Sequence, residues 1–142
     1  MKEFNLDKMR IACRAAAETL AEVGNIVKAG MTTADIDKFV HDSTIKKGGW
    51  PAPLNYRGFP KSCCTSVNDI VCHGIPGTYV LKDGDIVNVD VTTIIDGHFG
   101  DTNATFLIGD VSPKIQHLVA LTHQAMHAGI KNARPGALLS DV

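Results

Sequence analysis

The chain has 142 residues, 44% of them hydrophobic and 20% charged, enough for one modest core. Its 14 Lys and Arg against 15 Asp and Glu leave a net charge of −1, without long runs of one sign, which argues against a surface that tracks nucleic acid or binds a membrane. No run approaches the roughly 20 apolar residues of a membrane span, and the N-terminus enters an amphipathic pattern rather than a secretory core, so a cytoplasmic protein is expected.

Met9, Cys13, Ala16, Leu20, Val23 and Val27 recur in steps of four and three, which predicts a long first helix that stops near Gly30. Thr32-Thr33-Ala34-Asp35 then supplies a hydroxyl cap and an early acid. A second helix is expected over roughly 34 to 47, ended by Gly48-Gly49. From Trp50 to Ser66 the density of Pro, Gly and aromatic residues rises. Strand patterning follows, with turn signals at Pro76-Gly77 and Asp83-Gly84.

The four cysteines, Cys13, Cys63, Cys64 and Cys72, contain no CxxC pair. Cys63 and Cys64 should point to opposite faces of a strand, and reduced thiols fit the cytosol better than a disulfide framework.

Asp96-Gly97 is a strong two-residue hairpin signal between runs rich in Val, Ile, Thr and Phe. Counting outward, 95 pairs with 98, 92 with 101 and 90 with 103. Asn88, Asp90, Thr92, Asp101 and Asn103 then share one face, and Val87, Val89, Val91, Ile95 and Phe106 share the other. Asp90 and Asp101 become diagonal neighbours, with Cα atoms roughly 7–8 Å apart.

Two carboxylates brought together repel unless they share a proton, meet a base or bind a cation. No Lys or Arg lies nearby on that face, and an oxygen-rich cluster suits a divalent metal. A proton-sharing pair and solvated edge-strand acids are the alternatives.

A third amphipathic helix carries Ile115, Leu118, Thr122, Ala125 and Gly129 on one side. His123 and His127 have the i, i+4 spacing of a zinc helix, but Gln124 stands where a zincin needs its Glu base. A partly exposed helix face is the reading that fits. The tail 134–142, RPGALLSDV, echoes 28–36, KAGMTTADI, at an offset of 106 residues (Gly30 to Gly136). Each copy follows an amphipathic helix, which points to an internal duplication, coincidence in a short Gly-containing turn being the alternative. Ser140 reads as an N-cap with only two residues after it, as though a longer duplicated protein continued beyond.

SVNDIVCHGIP (66–76), LKDGDIVNVDV (81–91) and DGHFGDT (96–102), with APLNYRGFPKS (52–62) upstream, together resemble type I methionine aminopeptidase. His73 would sit at a strand's end, in a turn held by Gly74 and Pro76. The resemblance runs through the whole chain, and the CHGIP loop distinguishes this branch from the related proline-specific peptidases. It implies an α+β, pita-bread fold, with residues 1–142 forming the N-terminal portion of a single aminopeptidase domain whose second half is absent.

The resemblance further implies two divalent metal ions (cobalt, manganese, iron or zinc), Asp90 ligating one and Asp101 bridging both, with a water between them as the nucleophile. His73 would bond the scissile amide, and Tyr56, Phe59 and Cys64 would line the methionine pocket. Asn68 and the Ile70 carbonyl fall where some members hold a monovalent cation. The implied partner is the N-terminal methionine of nascent peptides, at the ribosome, for a protein that is monomeric when complete.

Three of the family's five metal ligands, a His and two Glu, belong to segments that do not occur in this sequence, so the chain alone is expected to bind metal weakly and to be inactive. Arg57, where many members carry His, and the His98-Phe99 order leave fine specificity open. Rival readings are a non-catalytic remnant or binding module of the same fold, and a proline-specific dipeptidase.

Overall fold

The computed structural model describes residues 5–142, which divide into a unit ending at Asp110 and a second unit, Val111–Val142. In the first unit, α1 (Leu6–Ile26) begins where the Asn5 side chain accepts the Lys8 N–H at 3.0 Å, a standard use of a short polar side chain at a helix start. Its buried face is Ala12, Ala15, Ala16, Thr19, Leu20 and Val23.

Ala16, Leu20 and Val23 of the expected stripe are buried and Val27 packs against the core, but Cys13 is exposed and Ala12 and Ala15 take the inner positions near it. The reason is close approach. A Cβ on Gly100 would lie 2.2 Å from the Ala12 carbonyl oxygen, so only Ala and Gly allow helix and sheet backbones to touch there. The helix also ends four residues before Gly30, at Ile26, because the next residue, Val27, has a ψ of 127° that leaves the helical region.

Helix α2 (Thr33–Lys46) is capped reciprocally, the Thr32 hydroxyl accepting the Asp35 N–H at 3.1 Å and Asp35 Oδ2 accepting the Thr32 N–H at 2.8 Å. Four strands follow: β1 (Trp50–Pro51), β2 (Cys64–Val67), β3 (Ile86–Ile95) and β4 (His98–Leu107). The other three pair antiparallel with β3, with β4 along one edge and β1 and β2 sharing the other.

The β3–β4 register is the one expected, with Ile95 opposite His98, Thr92 opposite Asp101 and Asp90 opposite Asn103. Asp96 (φ 49°) and Gly97 (φ 74°) both take positive φ, the signature of a type I′ turn whose twist matches the strands it joins. Val87, Val89 and Val91 are fully buried with Leu20, Val23, Ile36 and Val40. This apolar layer leaves the opposite face of the sheet for polar side chains.

His73 does not terminate a strand, contrary to expectation. β2 stops at Val67, and the chain from 68 to 85 is a loop with a single bridge, Val80 to Thr32. Strand β2 cannot continue because Asn68 turns to φ 53°, a conformation its short amide side chain tolerates.

The second unit comprises α3 (Pro113–Asn132), with Pro at its first position, and a single 3-10 turn at Leu139–Asp141. Its tail reproduces the earlier turn in detail. Gly30 (φ 89°) corresponds to Gly136 (φ 86°). The Met31 N–H bonds the Lys28 carbonyl, as Ala137 does Arg134. Asp35 Oδ2 accepts the Thr32 N–H at 2.8 Å, and Asp141 Oδ2 accepts the Leu138 N–H at 2.9 Å. Leu138, not Ser140, thus holds the N-cap position, because Ser140 aligns with Ala34 inside α2. Among the described residues no helix is long and apolar enough to cross a membrane.

Candidate functional site

A cavity of about 840 Å³ opens on the polar face of the sheet, and Tyr56, Phe59, Cys64, His73, Asp90 and Asp101 all line it. These six residues come from four separate stretches: the 3-10 turn at Tyr56–Gly58 and the residue after it, β2, the 68–85 loop and the β3–β4 hairpin.

Asp90 is half-buried, and its Oδ1 is fully buried without a hydrogen-bond partner among the described residues. Burial first, and the neighbouring Asp101 carboxylate second, push the Asp90 carboxyl up to about 6, while His73 nearby pulls the other way. Asp101 is exposed and accepts a hydrogen bond from the Thr92 hydroxyl at 3.1 Å. One acid is therefore presented by a neighbour and the other is left with an unmet acceptor.

The polar face contributes less than expected beyond that pair. Asn88 Nδ2 donates to Asn103 Oδ1 at 3.0 Å and to Thr105 Oγ1 at 3.1 Å, so the Asn88 amide group is engaged by β4. A buried, unpartnered carboxylate oxygen beside a second carboxylate suits a hard divalent cation. Among the described residues, however, no cluster of three or more His, Cys, Asp or Glu could hold one. The donor set fits a metal and is partial.

Cys64 stands opposite Asp90 in the β2–β3 register. Burial, and then the charge of Asp90, push its thiol up to about 11, which keeps it a neutral, compact wall. Cys63 points the other way into the core, as strand alternation requires. Tyr56 is 62% exposed and Phe59 half-buried, an arrangement unlike ordinary core packing and consistent with an open apolar slot.

His73 is held by its backbone. Its φ is 54°, and the next residue, Gly74, receives the Thr65 N–H on its carbonyl at 2.8 Å and donates its own N–H to the Ser66 hydroxyl at 3.2 Å. A Cβ on Gly74 would lie 2.2 Å from the Thr65 carbonyl oxygen, so this docking onto β2 requires glycine. A non-glycine residue at positive φ stores strain that its surroundings must over-determine, as they do here.

The far end of the loop is fixed by Asp85, which accepts from Asn68 Nδ2 at 2.9 Å, the Lys82 N–H at 2.9 Å and the Tyr79 hydroxyl at 3.0 Å. Burial raises its carboxyl, and these three bonds outweigh that and hold it below the usual range. Asn68 also accepts the Ile86 N–H at 3.0 Å through Oδ1. Its whole side chain is thereby spent on the loop's own structure. Asp85 sits within LKDGDIVNVDV, but no local pattern marks it as the residue that anchors the loop.

Sequence reasoning also missed Ile75 and Phe99 as cavity walls. Phe99 could have been found by parity, since it shares a strand face with Asp101. His123 and His127 lie elsewhere, on α3 in the second unit, their Nε2 atoms 3.2 Å apart.

Residues 7–142 match metallopeptidase family M24. The chain is 50% identical over 140 residues to the methionine aminopeptidase of Rickettsia prowazekii (strain Madrid E), an alignment covering 99% of this chain and 54% of that protein. It is 50% identical over 135 residues to methionine aminopeptidase 2 of Mycobacterium tuberculosis, covering 95% of this chain and 47% of that one. The crystal structure of the Rickettsia prowazekii enzyme superposes with a TM-score of 0.86 at 46% identity, over 92% of this chain and 54% of that chain. The chain spans about half the length of the curated relatives it matches.

Proposed function

The chain belongs to metallopeptidase family M24 and has the first half of its pita-bread fold, and from that premise we propose that the complete protein removes N-terminal methionine from peptides. The observation that carries this reading is the convergence of Asp90, Asp101 and His73 with Tyr56, Phe59 and Cys64 on one cavity. The names of the relatives, about 50% identical, support the substrate; the proline-specific and non-catalytic readings have no observation of that weight.

In this proposal Asp90 and Asp101 hold two divalent ions together with ligands from the rest of the protein. When bound, the ions supply an activated water and polarise the substrate carbonyl. The chain's own residues do the remainder. Asp90 enters as a carboxylate, since a cation removes the cost that burial and Asp101 impose on its charge. Thr92 orients the Asp101 oxygen it bonds.

His73, presented by a strained and doubly anchored backbone, donates a hydrogen bond to the scissile amide, where charge develops. Tyr56, Phe59 and Cys64 enclose an unbranched thioether side chain and exclude water from it. The working compartment we assign is the cytoplasm, and the substrates are nascent chains.

The test is hydrolysis of Met-Ala and Ala-Pro peptides by the complete protein supplied with manganese or cobalt. Cleavage of the Met-Ala peptide is expected, with a loss of about 10²–10³ in kcat on His73→Ala and little change in KM. Cleavage of the Ala-Pro peptide alone would replace this reading with a proline-specific one.

A further inference from the structure

Arg57 is the one residue with a permanent positive charge among those lining the cavity, and nothing in the proposed chemistry uses it. Its guanidinium carbon lies 5.5 Å from the Tyr56 ring centroid, within range of a cation–π contact. Arg57 itself is exposed. Among the described residues it joins no ion pair; the basic partners are Lys8, Arg10, Lys38, Lys47 and Lys61.

Its backbone is the second unusual feature. Arg57 takes φ 49° and ψ 34° inside the 3-10 turn, between Asn55 at φ 67° and Gly58 at φ 83°. Left-handed backbone is uncommon for a long side chain, and where the chain keeps it a functional constraint is a fair hypothesis. The turn carries Tyr56 and Arg57 to the cavity wall together.

The charge matters because the ions of the proposed function would offset Asp90 and Asp101, the two acids of the lining, and leave Arg57 as a cation with no assigned partner. A peptide entering the cavity with a carboxylate near its N-terminus would bring that group to the wall that carries Arg57. Arg57 offers that carboxylate a planar, forked donor suited to bidentate pairing.

We propose that Arg57 is a specificity-determining residue that admits peptides bearing an acidic side chain just downstream of the scissile bond. This deepens the aminopeptidase reading and rests on the cavity being the peptide site.

The experiment measures binding of two N-terminal Met-Ala peptides, one continuing with Asp-amide and the other with Asn-amide, each with the scissile amide reduced to prevent cleavage. The complete protein, Arg57→Asn and Arg57→Lys are compared; Asn keeps the left-handed backbone with least strain. The Asp-to-Asn affinity ratio should fall about two- to five-fold in Arg57→Asn, the size of an exposed ion pair. Arg57→Lys should retain most of it, and the difference should fade on raising salt to about 1 M.

A ratio unchanged in Arg57→Asn, or an equal loss of affinity for both peptides, would overturn the proposal and leave Arg57 as packing for Tyr56. Cleavage of the unreduced Asn-amide peptide is measured separately, so failure of the hydrolytic reading registers there without touching the binding ratio.

Discussion

Cys64 lies directly across the β2–β3 ladder from Asp90, so the acid pair is walled on that side by a thiol rather than by a base. Burial and the Asp90 charge hold this thiol up to about 11, and a protonated thiol is a poor nucleophile. Cys63 is buried on the opposite face and also raised. Under native conditions near pH 8, Cys13 and Cys72, the two exposed cysteines, should react first with a thiol reagent. Asp90→Asn should speed labelling of Cys64 and leave Cys63 slow. Peptide mapping of the modified protein reads this; equal rates at Cys64 and Cys72 in the unmodified sequence would contradict it.

Asp90 should make stability fall as pH rises. Its folded value of about 6 lies above the ordinary 3.8, so the folded state favours the protonated form. That contribution is fully present below about pH 4 and is lost as pH rises through 6. The difference bounds the effect at about 3 kcal/mol, and screening at the open cavity brings it to about 1–2 kcal/mol. Without added metal, urea midpoints between pH 4 and 7.5 should show the decline, and Asp90→Asn should flatten it. Manganese should restore stability above pH 6, where the carboxylate it needs is ionised. A slope that Asp90→Asn leaves intact would assign the effect elsewhere.

Gly74→Ala should damage the site more than the fold. The new Cβ meets the Thr65 carbonyl at 2.2 Å, and backbone against backbone cannot be relieved by a rotamer change. The loop must lift off β2, taking His73 with it. The expected result in the complete protein is a fall in kcat of at least about 10², with a stability loss of about 1–3 kcal/mol. Gly100→Ala, which drives α1 from β4 through Ala12, should instead cost folding itself. Thermal melts alongside kinetics separate the two.

Thr32→Ala should remove half of the reciprocal cap of α2, at a cost of about 1 kcal/mol. The Asp35 carboxyl, held low first by the Thr32 hydroxyl and then by the Thr32 N–H, would lose part of its stabilisation. Its contribution disappears as pH falls through its folded value, so the penalty of Thr32→Ala should shrink in acid. A shift in urea midpoint at constant slope checks it.

The hairpin was legible in the sequence because its physics is local. A two-residue turn sets the register, alternation sets the faces, and Asp90, Thr92, Asp101 and Val87 to Val91 followed without any long-range information. The capping of α2 by Thr32 and Asp35 was legible for the same reason. The α1 stripe was legible only in part: Ala16, Leu20 and Val23 are buried as its spacing required, but Cys13 is exposed and Ala12 and Ala15 are buried instead. Its buried positions answer to the bare backbone of Gly100, more than seventy residues away, which favours Ala12 and Ala15 over the larger Met9 and Cys13.

His73 illustrates the limit within the site. Motif resemblance marked the residue, yet its presentation depends on Gly74 docking against Thr65 and Ser66 and on Asp85 closing the loop. Neither contact has a periodic signature. Cys64 beside Asp90 is a further case, since the β2–β3 pairing spans a loop whose length carries no register rule.

By itself, then, the sequence determined the hairpin's strand faces and turn, the N-terminal cap of α2 and the family motifs, all set by interactions within a few residues. Only the tertiary structure decided which α1 residues near its start face inward, how His73 is held, and that, among the described residues, one Asp90 oxygen is buried without a partner in a cavity whose wall also carries Arg57. Those outcomes depend on desolvation and close backbone approach, which arise when distant segments meet.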